Sequence, residues 1–339
     1  MKLIVVGLGS MGKRRISLLL KYFSGISICG VDINAERRLQ AEKLFGINTY
    51  EDLNKAIYYE KPYAVLVCSS PASHAPVILE CIRKGLHVFS EINLIQDKYK
   101  QIIKESTQNK VKLFLSSTLL YRKEIEIINE YVSNQKCKVN YRYHVGQYLP
   151  DWHPWEDYRN FFVGEKRTNG CREIFAIDLP WIIKTFGKVK DITVFKDNIS
   201  TLEIEYPDNY IVVLEHDNGN KGVFIADVVS RQAVRDFLAY SENLHISWDG
   251  TPKGLYKYNI ERRTLERIET YTERIETFNT TETEYKYADK IVENAYLDEI
   301  TEFINKITGK PYDERYTFED DMYTLQLIDR IEGIKNGGR

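Results

Sequence analysis

The sequence predicts an α/β protein: a doubly wound parallel sheet, followed by an α+β domain with an open, mainly antiparallel sheet. In roughly the first 120 residues, short apolar runs alternate with helical patterns, which is typical of buried parallel strands covered by helices on both faces. Beyond that point apolar and polar residues alternate, which is typical of antiparallel strands with one open face. The 339 residues allow two such domains. We expect them at 1–120 and 121–339, with C-terminal helices that could pack back on the first domain.

The first domain is expected to contain five strands and four helices in alternation. The strands are predicted at 3–6, 26–32, 64–68, 87–90 and 112–115, and the helices near 11–23, 35–45, 75–84 and 98–109. The first helix illustrates the signal, because its apolar residues recur at helical spacing and form one stripe: Ile16, Leu19, Leu20 and Phe23.

The second domain is expected to begin with a helix near 122–133 and to continue as a sheet. Residues 139–145 alternate apolar and polar side chains, and 201–230 is predicted to be a meander that starts with a strand through Leu202, Ile204 and Tyr206. Further strands are predicted at 236–240, 244–248 and 255–258. We expect helices at 171–186 and 296–308 to cover the buried face of this sheet, leaving the other face for water or a partner.

Composition excludes several classes of function. The net charge of −2, with acidic and basic residues interleaved, argues against nucleic-acid binding. Five scattered cysteines without a CxxC pair argue against a disulfide framework or a structural zinc site, and no HxxxH or HExxH pairing suggests another metal site. No apolar run approaches the roughly 20 residues of a membrane helix, and the first is too short for a signal peptide. We therefore expect a cytoplasmic protein without a metal or a membrane partner.

A glycine-rich motif follows the first predicted strand and opens the first helix. Gly7 permits a tight turn, Gly9 lets the backbone approach a pyrophosphate, and Gly12 lets the helix pack on the strand. The helix N-terminus supplies amides to the anion. In this context the motif predicts a Rossmann-type dinucleotide site, although a plain strand–helix turn is the alternative. The cofactor residues are Gly7, Leu8, Gly9, Ser10, Met11 and Gly12.

Asp32 is placed to select the cofactor, because it ends the second predicted strand at the spacing of the ribose-binding acid. An acid there accepts hydrogen bonds from the adenosine ribose and repels a 2′-phosphate, which favours NAD over NADP. Arg37 and Arg38 follow closely and could meet such a phosphate, or they could be solvated helix residues.

Polar side chains also follow the next two predicted strands. Ligands of doubly wound sheets bind at the carboxyl ends of the strands, so these residues are expected near the nicotinamide half of the cofactor. His74 could instead cap the following helix. The residues are Ser69, Ser70, Pro71 and His74 after one strand, and Glu91 and Asn93 after the next.

These blocks together resemble the Gfo/Idh/MocA family, named after glucose-fructose oxidoreductase and inositol dehydrogenase. The likeness spans essentially the whole chain and rests on GLGSMG, on Asp32, on CSSPASHAPVILECIRKGLHVFSE and on a mixed helix–sheet second half. The resemblance implies an NAD(P)-dependent dehydrogenase of sugars or cyclitols. It also implies an open C-terminal sheet that forms the interface of a homodimer or homotetramer.

The chain departs from the family at two proton-handling positions. The family's catalytic lysine, in an E-K-P motif, corresponds to Ile92, and only Glu91 of that motif survives. A second family motif has an acid that corresponds to Glu173 and a histidine that corresponds to Ile177. Hydride transfer from a carbinol carbon needs a base for the hydroxyl proton, which isoleucine cannot provide. Either another side chain has taken this task, or dehydrogenase activity has been lost.

The densest polar–aromatic segment, 147–159, offers replacements. Aromatic faces suit the C–H surfaces of a sugar and polar groups suit its hydroxyls, so Trp152, Trp155 and Arg159 are predicted substrate contacts. The alternative is a structural loop that seals the domain junction. His153 is a candidate general acid/base because an imidazole titrates near neutral pH, and it could equally be a packing residue. Tyr158 is a second candidate, since a neighbouring arginine can lower the pKa of a phenol.

The helix predicted at 171–186 supplies the remaining candidates. Glu173 and Ile177 lie one turn apart and share a face, so Glu173 is expected to look into the crevice as a third catalytic candidate. Asp178 points about 100° away and could be a helix-surface acid or a substrate contact. Arg172 could bind a carboxylate or phosphate of the substrate, or could be solvated.

The sequence therefore predicts an NAD(P)-dependent oxidoreductase that transfers hydride at one carbinol or ketone centre of a sugar, nucleotide-sugar or sialic-acid-like derivative. Two alternatives remain open. The chain could be a non-catalytic NAD-binding sensor, or it could use tightly held NAD within one cycle to epimerise its substrate.

Overall fold

A computed structural model describes residues 1–152, 157–273, 275, 278 and 290–334, and these residues form two compact units. The first unit is built from Met1–Ser117 and Tyr296–Met322. The second is built mainly from 118–273, 290–295 and 323–334. No helix within the described ranges is long and apolar enough to cross a bilayer.

The first unit contains a six-stranded parallel sheet with the order β3-β2-β1-β4-β5-β6. Its strands are β1 (Lys2–Val6), β2 (Ser27–Val31), β3 (Asn48–Tyr50), β4 (Ala64–Val67), β5 (His87–Ser90) and β6 (Leu113–Leu115). Between them lie α1 (Ser10–Tyr22), α2 (Ala35–Phe45), α3 (Leu53–Glu60), α4 (Pro71–Arg83) and α5 (Tyr99–Asn109). The doubly wound sheet is confirmed. The prediction missed β3 and α3, because a three-residue edge strand has too little apolar pattern to be recognised.

The order of the sheet locates the candidate cofactor site. The chain runs outward from β1 to β3 on one side and from β4 to β6 on the other, so the direction reverses between β1 and β4. These two strands pair in parallel, Val6 beside Val67, and their central residues are completely buried. Ligands of open α/β sheets bind outside the carboxyl ends of the strands at such a reversal.

The helix predicted at 296–308 was expected to cover the second sheet or to pack back on the first domain, and the second alternative is observed. It is α8 (Glu293–Thr308), and its residues from Tyr296 onward belong to the first unit instead of covering the second sheet. Phe303 packs on Phe89 of β5 and Phe114 of β6, with ring centroids 5.5 and 6.0 Å apart. The apolar stripe of a helix predicts that one face is buried, but it does not predict against which sheet.

The second unit contains an eight-stranded sheet with the order β14-β13-β12-β11-β7-β10-β9-β8, antiparallel except for the parallel pair β7 and β10. Its elements are α6 (Lys123–Ser133), β7 (Asn140–Gly146), α7 (Gly170–Phe186), β8 (Val189–Asp197), β9 (Asn209–His216), β10 (Lys221–Asp227), β11 (Val234–Ser241), β12 (Leu244–Trp248), β13 (Leu255–Asn259) and β14 (Thr264–Arg267). A last helix, α9 (Phe318–Glu332), was not predicted.

The second sheet has one buried and one open face, as its alternating sequence predicts. Tyr143 of β7 and Phe237 of β11 are buried against Trp181 of α7. On the other face, Phe195 and its cross-strand neighbour Ile211 are 60% and 39% exposed. The core of this unit therefore lies between the sheet and α7.

The strand expected through Leu202, Ile204 and Tyr206 is absent, and these residues lie in the connection that follows β8. Here the carboxylate of Asp208 accepts hydrogen bonds from the backbone amides of Ile199 and Ser200 and closes a loop. An alternation with a period of two predicts an extended chain, but it does not guarantee a pairing strand. The rest of the expected meander is confirmed as the hairpin of β9 and β10.

Candidate active site

The glycine turn between β1 and α1 has the geometry of a phosphate cradle. Gly7 has a φ of +91°, and a Cβ there would lie 2.6 Å from the carbonyl of Cys68. A Cβ on Gly12 would lie 1.9 Å from the carbonyl oxygen of Gly7. A Cβ on Gly9 would meet nothing within 4 Å. Gly7 and Gly12 are thus required by the fold, whereas Gly9 keeps space open in front of the backbone.

The first turn of α1 borders that open space. The helix begins at Ser10, followed by Met11, and its N-cap, Gly9, has no side chain to satisfy the first amides. Uncapped amides at a helix N-terminus bind phosphate oxygens, so the turn fits the pyrophosphate of a dinucleotide. The side chain of Leu8 packs against Gly30 of β2, so closely that a Cβ on Gly30 would lie 2.8 Å from it. Its packing fixes the turn on the sheet.

Asp32 is held in place at the end of β2. It is only 7% exposed, and its two carboxylate oxygens accept hydrogen bonds from the backbone amides of Leu8 and Asn34, each at 2.8 Å. An oriented carboxylate with spare lone pairs fits the hydroxyls of an adenosine ribose. Arg38 donates to the carbonyl oxygens of Asp32 and Ile33 at 2.7 and 3.1 Å, whereas Arg37 is exposed.

The residues after β4 surround a buried histidine. Ser70 is the N-cap of α4, Pro71 is its first residue, and the hydroxyl of Ser69 lies 2.7 Å from that of Ser73. His74 is not a helix cap, as one alternative had it, because it lies inside α4 and is 2% exposed. Its Nε2 lies 2.8 Å from the Ser69 carbonyl oxygen, and its Nδ1 lies 2.7 Å from Oδ1 of Asn93. Burial lowers the pKa of this imidazole.

Glu91 forms a buried ion pair. Arg15 of α1 is fully buried and donates to Glu91 at 2.6 Å and to Glu299 of α8 at 2.5 Å. Its guanidinium also lies 4.7 Å from the centroid of the Phe89 ring. Ile92 follows with a half-buried hydrocarbon side chain where the resemblance places the catalytic lysine. This strand end therefore carries no amine.

In the second unit, three segments meet at the N-terminus of α7, and we call this place the α7 junction. It consists of residues 147–152, 227–231 and 170–173. A Cβ on Gly170 would lie 2.9 Å from Val228, 3.2 Å from Leu149 and 3.4 Å from Trp152, so only glycine allows this approach. The indole Nε1 of Trp152 donates to the carbonyl oxygen of Gln147 at 3.2 Å, which ties the first segment to itself.

Glu173 is a carboxyl group of the α7 junction with a raised pKa. It lies in the first turn of α7, and its Oε2 is buried without a hydrogen-bond partner among the described residues. Burial disfavours the charged carboxylate and raises the pKa of Glu173 to about 7. Ile177 lies one turn further along the same face. A carboxyl group with this pKa can both accept and donate a proton near neutral pH.

The other predicted catalytic and substrate residues are spread more widely. Tyr158 lies in a short 3-10 helix, and its hydroxyl accepts a hydrogen bond from the amide of Glu203. Arg159 forms ion pairs with Asp157 at 2.6 Å and with Glu203 at 2.7 Å. Trp152 is half-buried in the α7 junction. The predicted residues His153 and Trp155 lie outside the described residues.

Two expectations for the polar residues of α7 need correction. Asp178 is not a helix-surface acid, because it is fully buried and bound by Tyr143 at 2.5 Å and Arg235 at 2.9 Å. Arg172 is not solvated, because it is 4% exposed and pairs with Asp329 and Glu332. Exposure to solvent was one of two expectations for each charge, the other being a substrate contact, but the sheet and the unpredicted helix α9 bring partners from distant parts of the chain.

Two residues of the α7 junction were not singled out from the sequence. The Nε2 of Gln147 is buried without a hydrogen-bond partner among the described residues. The guanidinium of Arg231 lies 3.6 Å from the centroid of the Tyr148 ring. Gln147 and Tyr148 belong to the polar–aromatic segment 147–159, which was predicted to contact the substrate. No pattern in the sequence around Arg231 indicates a role for it.

The strand order, the glycine turn and Asp32 define the first unit as a Rossmann domain of an NAD-binding oxidoreductase. Residues 1–114 match the family model GFO_IDH_MocA, described as an oxidoreductase family with an NAD-binding Rossmann fold. Across 332 residues, covering 92% of this chain and 90% of the relative, the sequence is 22% identical to myo-inositol 2-dehydrogenase of Thermotoga maritima. The first domain of this chain is therefore similar to the NAD-binding domain of the Gfo/Idh/MocA oxidoreductases.

Solved structures share the fold across both units. An oxidoreductase from Agrobacterium radiobacter, in complex with NAD+, L-tartaric acid and magnesium, superimposes with a TM-score of 0.81 at 12% identity, covering 100% of this chain and 97% of the other. The WlbA dehydrogenase of a Chromobacterium species (C. violaceum), in complex with NADH and UDP-GlcNAcA, gives a TM-score of 0.76 at 14% identity, covering 100% and 94%. At such identities the likeness establishes the fold alone.

Proposed function

We propose that the protein is an NAD-dependent dehydrogenase that interconverts a carbinol and a ketone on a sugar, nucleotide sugar or sialic-acid-like derivative, with Glu173 as its general acid/base. The observation that carries the proposal is the buried Oε2 of Glu173, which has no hydrogen-bond partner in the part of the chain that the structure describes, together with its pKa of about 7. Bound NAD supplies the hydride chemistry. The residues of this chain must then bind the substrate and handle one proton.

The acid–base role falls to Glu173 because the usual groups are missing. Ile92 and Ile177 occupy the positions that the family resemblance gives to a lysine and a histidine, and neither can exchange a proton. In the oxidation the carboxylate of Glu173 takes the hydroxyl proton, and in the reduction its carboxylic acid returns one. Groups whose pKa is close to the working pH do this best. His153 and Tyr158 remain the other candidates for this task.

The substrate class rests on the aromatic side chains and on the relatives. Trp152, Trp155 and Arg159 are the proposed sugar contacts, since indole faces pack on C–H surfaces while charged groups bind hydroxyls. The relatives include an inositol dehydrogenase and a dehydrogenase crystallised with a nucleotide sugar, which supports a polyhydroxylated substrate. NAD is proposed over NADP because Asp32 repels a 2′-phosphate.

The proposal includes an assembly and a location. The exposed face of the second sheet carries Phe195, Ile211 and Val213, of which Val213 is 38% exposed, and we propose that a second copy of the chain covers this face in a homodimer or homotetramer. Apolar side chains clustered on one sheet face are typical of such interfaces. The five cysteines, all unpaired, suit a cytoplasmic location.

The test is turnover of a panel of sugars, sugar acids and nucleotide sugars with NAD, followed by the absorbance of the reduced nicotinamide. We expect Glu173→Gln to lower kcat about 100-fold or more, since general acid–base catalysis contributes that much. Glu242→Gln, which removes an exposed acid from the turn between β11 and β12, is the matched control and should leave kcat unchanged.

Two outcomes would overturn parts of the proposal. A Glu173→Gln variant that turns over as fast as the parent would remove Glu173 from the proton transfer. NAD binding by calorimetry without turnover on any member of the panel would favour the sensor alternative. NAD that survives desalting together with net epimerisation would instead favour the internal redox cycle.

A further inference from the structure

We propose that Arg231, stacked on Tyr148, and the side-chain amide of Gln147 form a subsite for an anionic group of the substrate, a carboxylate or a phosphate. The inference rests on the proposed function, because it assigns the substrate class of the same α7 junction that holds Glu173. It narrows the proposed substrate class to those members that carry a negative charge, which a neutral sugar or cyclitol does not.

Arg231 presents its charge without an acidic partner. Its side chain is exposed, and no carboxylate of the described residues pairs with it. Arg172 and Arg235, in the same unit, are each bound to acids. The Cζ atom of Arg231 lies over the Tyr148 ring, 3.6 Å from its centroid, and this cation–π contact holds the guanidinium at the ring. A planar, oriented guanidinium matches the paired oxygens of a carboxylate or phosphate.

Gln147 adds a second donor. Its Nε2 is buried without an acceptor among the described residues, and an amide N–H in that position is costly to leave unbonded. A ligand oxygen would satisfy it. One cation and one neutral donor together favour an acceptor-only, negatively charged group over a hydroxyl, which also needs an acceptor for its own proton.

Asp227 joins the two segments that carry these donors. Its backbone carbonyl accepts a hydrogen bond from the amide of Gln147 at 3.2 Å. Its Oδ1 accepts from the amides of Val229 and Ser230 at 2.9 and 2.7 Å, and its Oδ2 accepts from the Ser230 hydroxyl at 3.0 Å. These bonds fix the backbone immediately before Arg231 and immediately before Tyr148. The proposed subsite therefore lies on a turn that these hydrogen bonds hold in place.

Contacts with α7 connect this turn to Glu173. Val228 and Leu149 belong to the two segments that Asp227 joins, and their side chains approach Gly170 most closely. Glu173 follows Gly170 by one helical turn, and within the described ranges its own Oε2 also has no hydrogen-bond partner. A substrate bound by its anionic end at Arg231 and Gln147 would thus reach the acid–base residue with a hydroxyl.

The test measures binding to the NAD-loaded full-length protein by calorimetry, with four probes that separate the sources of charge. Glucose is neutral, glucuronic acid carries a carboxylate, glucose 6-phosphate carries a monophosphate and UDP-glucose carries a diphosphate. We expect at least one anionic probe to bind about tenfold or more tightly than glucose, and this advantage to shrink at high salt. Equal affinity for all four probes, or no detectable binding of any, would overturn the subsite.

Variants then assign the effect to the named side chains. Arg231→Gln and Gln147→Leu should each weaken the preferred anionic probe about tenfold or more and leave glucose unchanged. Arg231→Lys keeps the positive charge but loses the planar guanidinium. Its affinity for the anionic probe should therefore lie between that of the parent and that of Arg231→Gln. Lys253→Gln, which removes an exposed cation elsewhere in the unit, is the control and should bind like the parent. Unchanged anion affinity in both Arg231 variants would reject the assignment, and matching thermal melts exclude misfolding.

The result is separable from the proposed function. Anion binding that depends on Arg231, without nicotinamide reduction on any substrate, would support the subsite and reject the dehydrogenase. Turnover of a neutral sugar that Arg231→Gln leaves unchanged would support the dehydrogenase and reject the subsite. In turnover on an anionic substrate, Arg231→Gln should raise KM while Glu173→Gln lowers kcat.

Discussion

Arg15 and Glu91 form a salt bridge of 2.6 Å inside the first unit, with the Arg15 side chain completely buried. The family resemblance matches Glu91 to the acid of a lysine motif, and the structure shows it bound to Arg15 of α1. The same guanidinium holds Glu299, whose pKa is raised by burial even though Arg15 opposes the rise. One cation therefore compensates two buried carboxylates from distant parts of the chain.

Replacement of Arg15 should be strongly destabilising. Arg15→Met would leave Glu91 and Glu299 buried without a cation, and breaking such a pair costs about 3–5 kcal/mol. The measurement is the free energy of unfolding in urea. Arg15→Met combined with Glu91→Gln and Glu299→Gln should recover much of the loss, because no charge then remains buried. An Arg15→Met variant that is as stable as the parent would contradict this account.

Two glycine variants should separate the fold from cofactor binding. Gly9→Ala places its methyl group in open space and should leave the melting temperature unchanged while weakening NAD about tenfold or more, because the methyl occupies the approach of the pyrophosphate. Gly12→Ala directs its methyl group to within 1.9 Å of the Gly7 carbonyl oxygen and should disrupt the domain. Calorimetry and thermal melts distinguish the two, and a Gly9→Ala variant that binds NAD like the parent would refute the cradle.

The raised pKa of Glu173 predicts a specific dependence of stability on pH. Its folded pKa of about 7 lies above the usual 4.5, so the folded protein binds a proton more tightly than the unfolded chain. The stabilising effect is complete below pH 4.5 and is lost as the pH rises to 7. Relative to the parent, Glu173→Gln should therefore gain up to about 3 kcal/mol between pH 4.5 and pH 8. Urea unfolding at the two pH values measures this gain, and a constant difference would disprove the shift.

The ionisation of Glu173 should also appear in the pH dependence of catalysis. If Glu173 takes the substrate proton, the rate of oxidation should rise with an ionisation near pH 7, and the rate of reduction should fall with it. Glu173→Gln should abolish this ionisation in both directions and not only lower the rate. Persistence of the ionisation in the variant would assign it to another group, such as His153.

The open sheet face predicts how the oligomer can be broken. Phe195→Glu puts a charge beside Ile211 on the neighbouring strand, and a charge in an apolar interface is costly. We expect light scattering to report a smaller species than for the parent. Leu39→Glu, on α2 of the first unit, is the control, because Leu39 is comparably exposed, at 65%. An unchanged mass for Phe195→Glu would place the interface elsewhere.

Features that depend on neighbouring residues could be predicted from the sequence, whereas features that depend on residues far apart in the chain could not. The glycine turn and Asp32 were predictable because a few neighbouring residues determine the local geometry. That Asp178 points about 100° away from Ile177 was also predictable, because adjacent residues of a helix are separated by that angle. The burial of Asp178 was not, because it depends on Arg235, which lies 57 residues further along the chain. The pair of Tyr148 and Arg231 is equally non-local, and no pattern within either segment indicates it.

The involvement of α8 in the first unit has a consequence for biosynthesis. Phe303 completes the aromatic cluster on β5 and β6, but it is translated nearly 190 residues after Phe114. A ribosome that has made the whole parallel sheet has therefore not yet made the side chain that seals it. Nascent chains that stop before α8 should expose Phe89 and Phe114 and become clients for chaperones. Emergence of α8 from the ribosome, and not synthesis of the nucleotide-binding half, then sets the time at which the first unit matures.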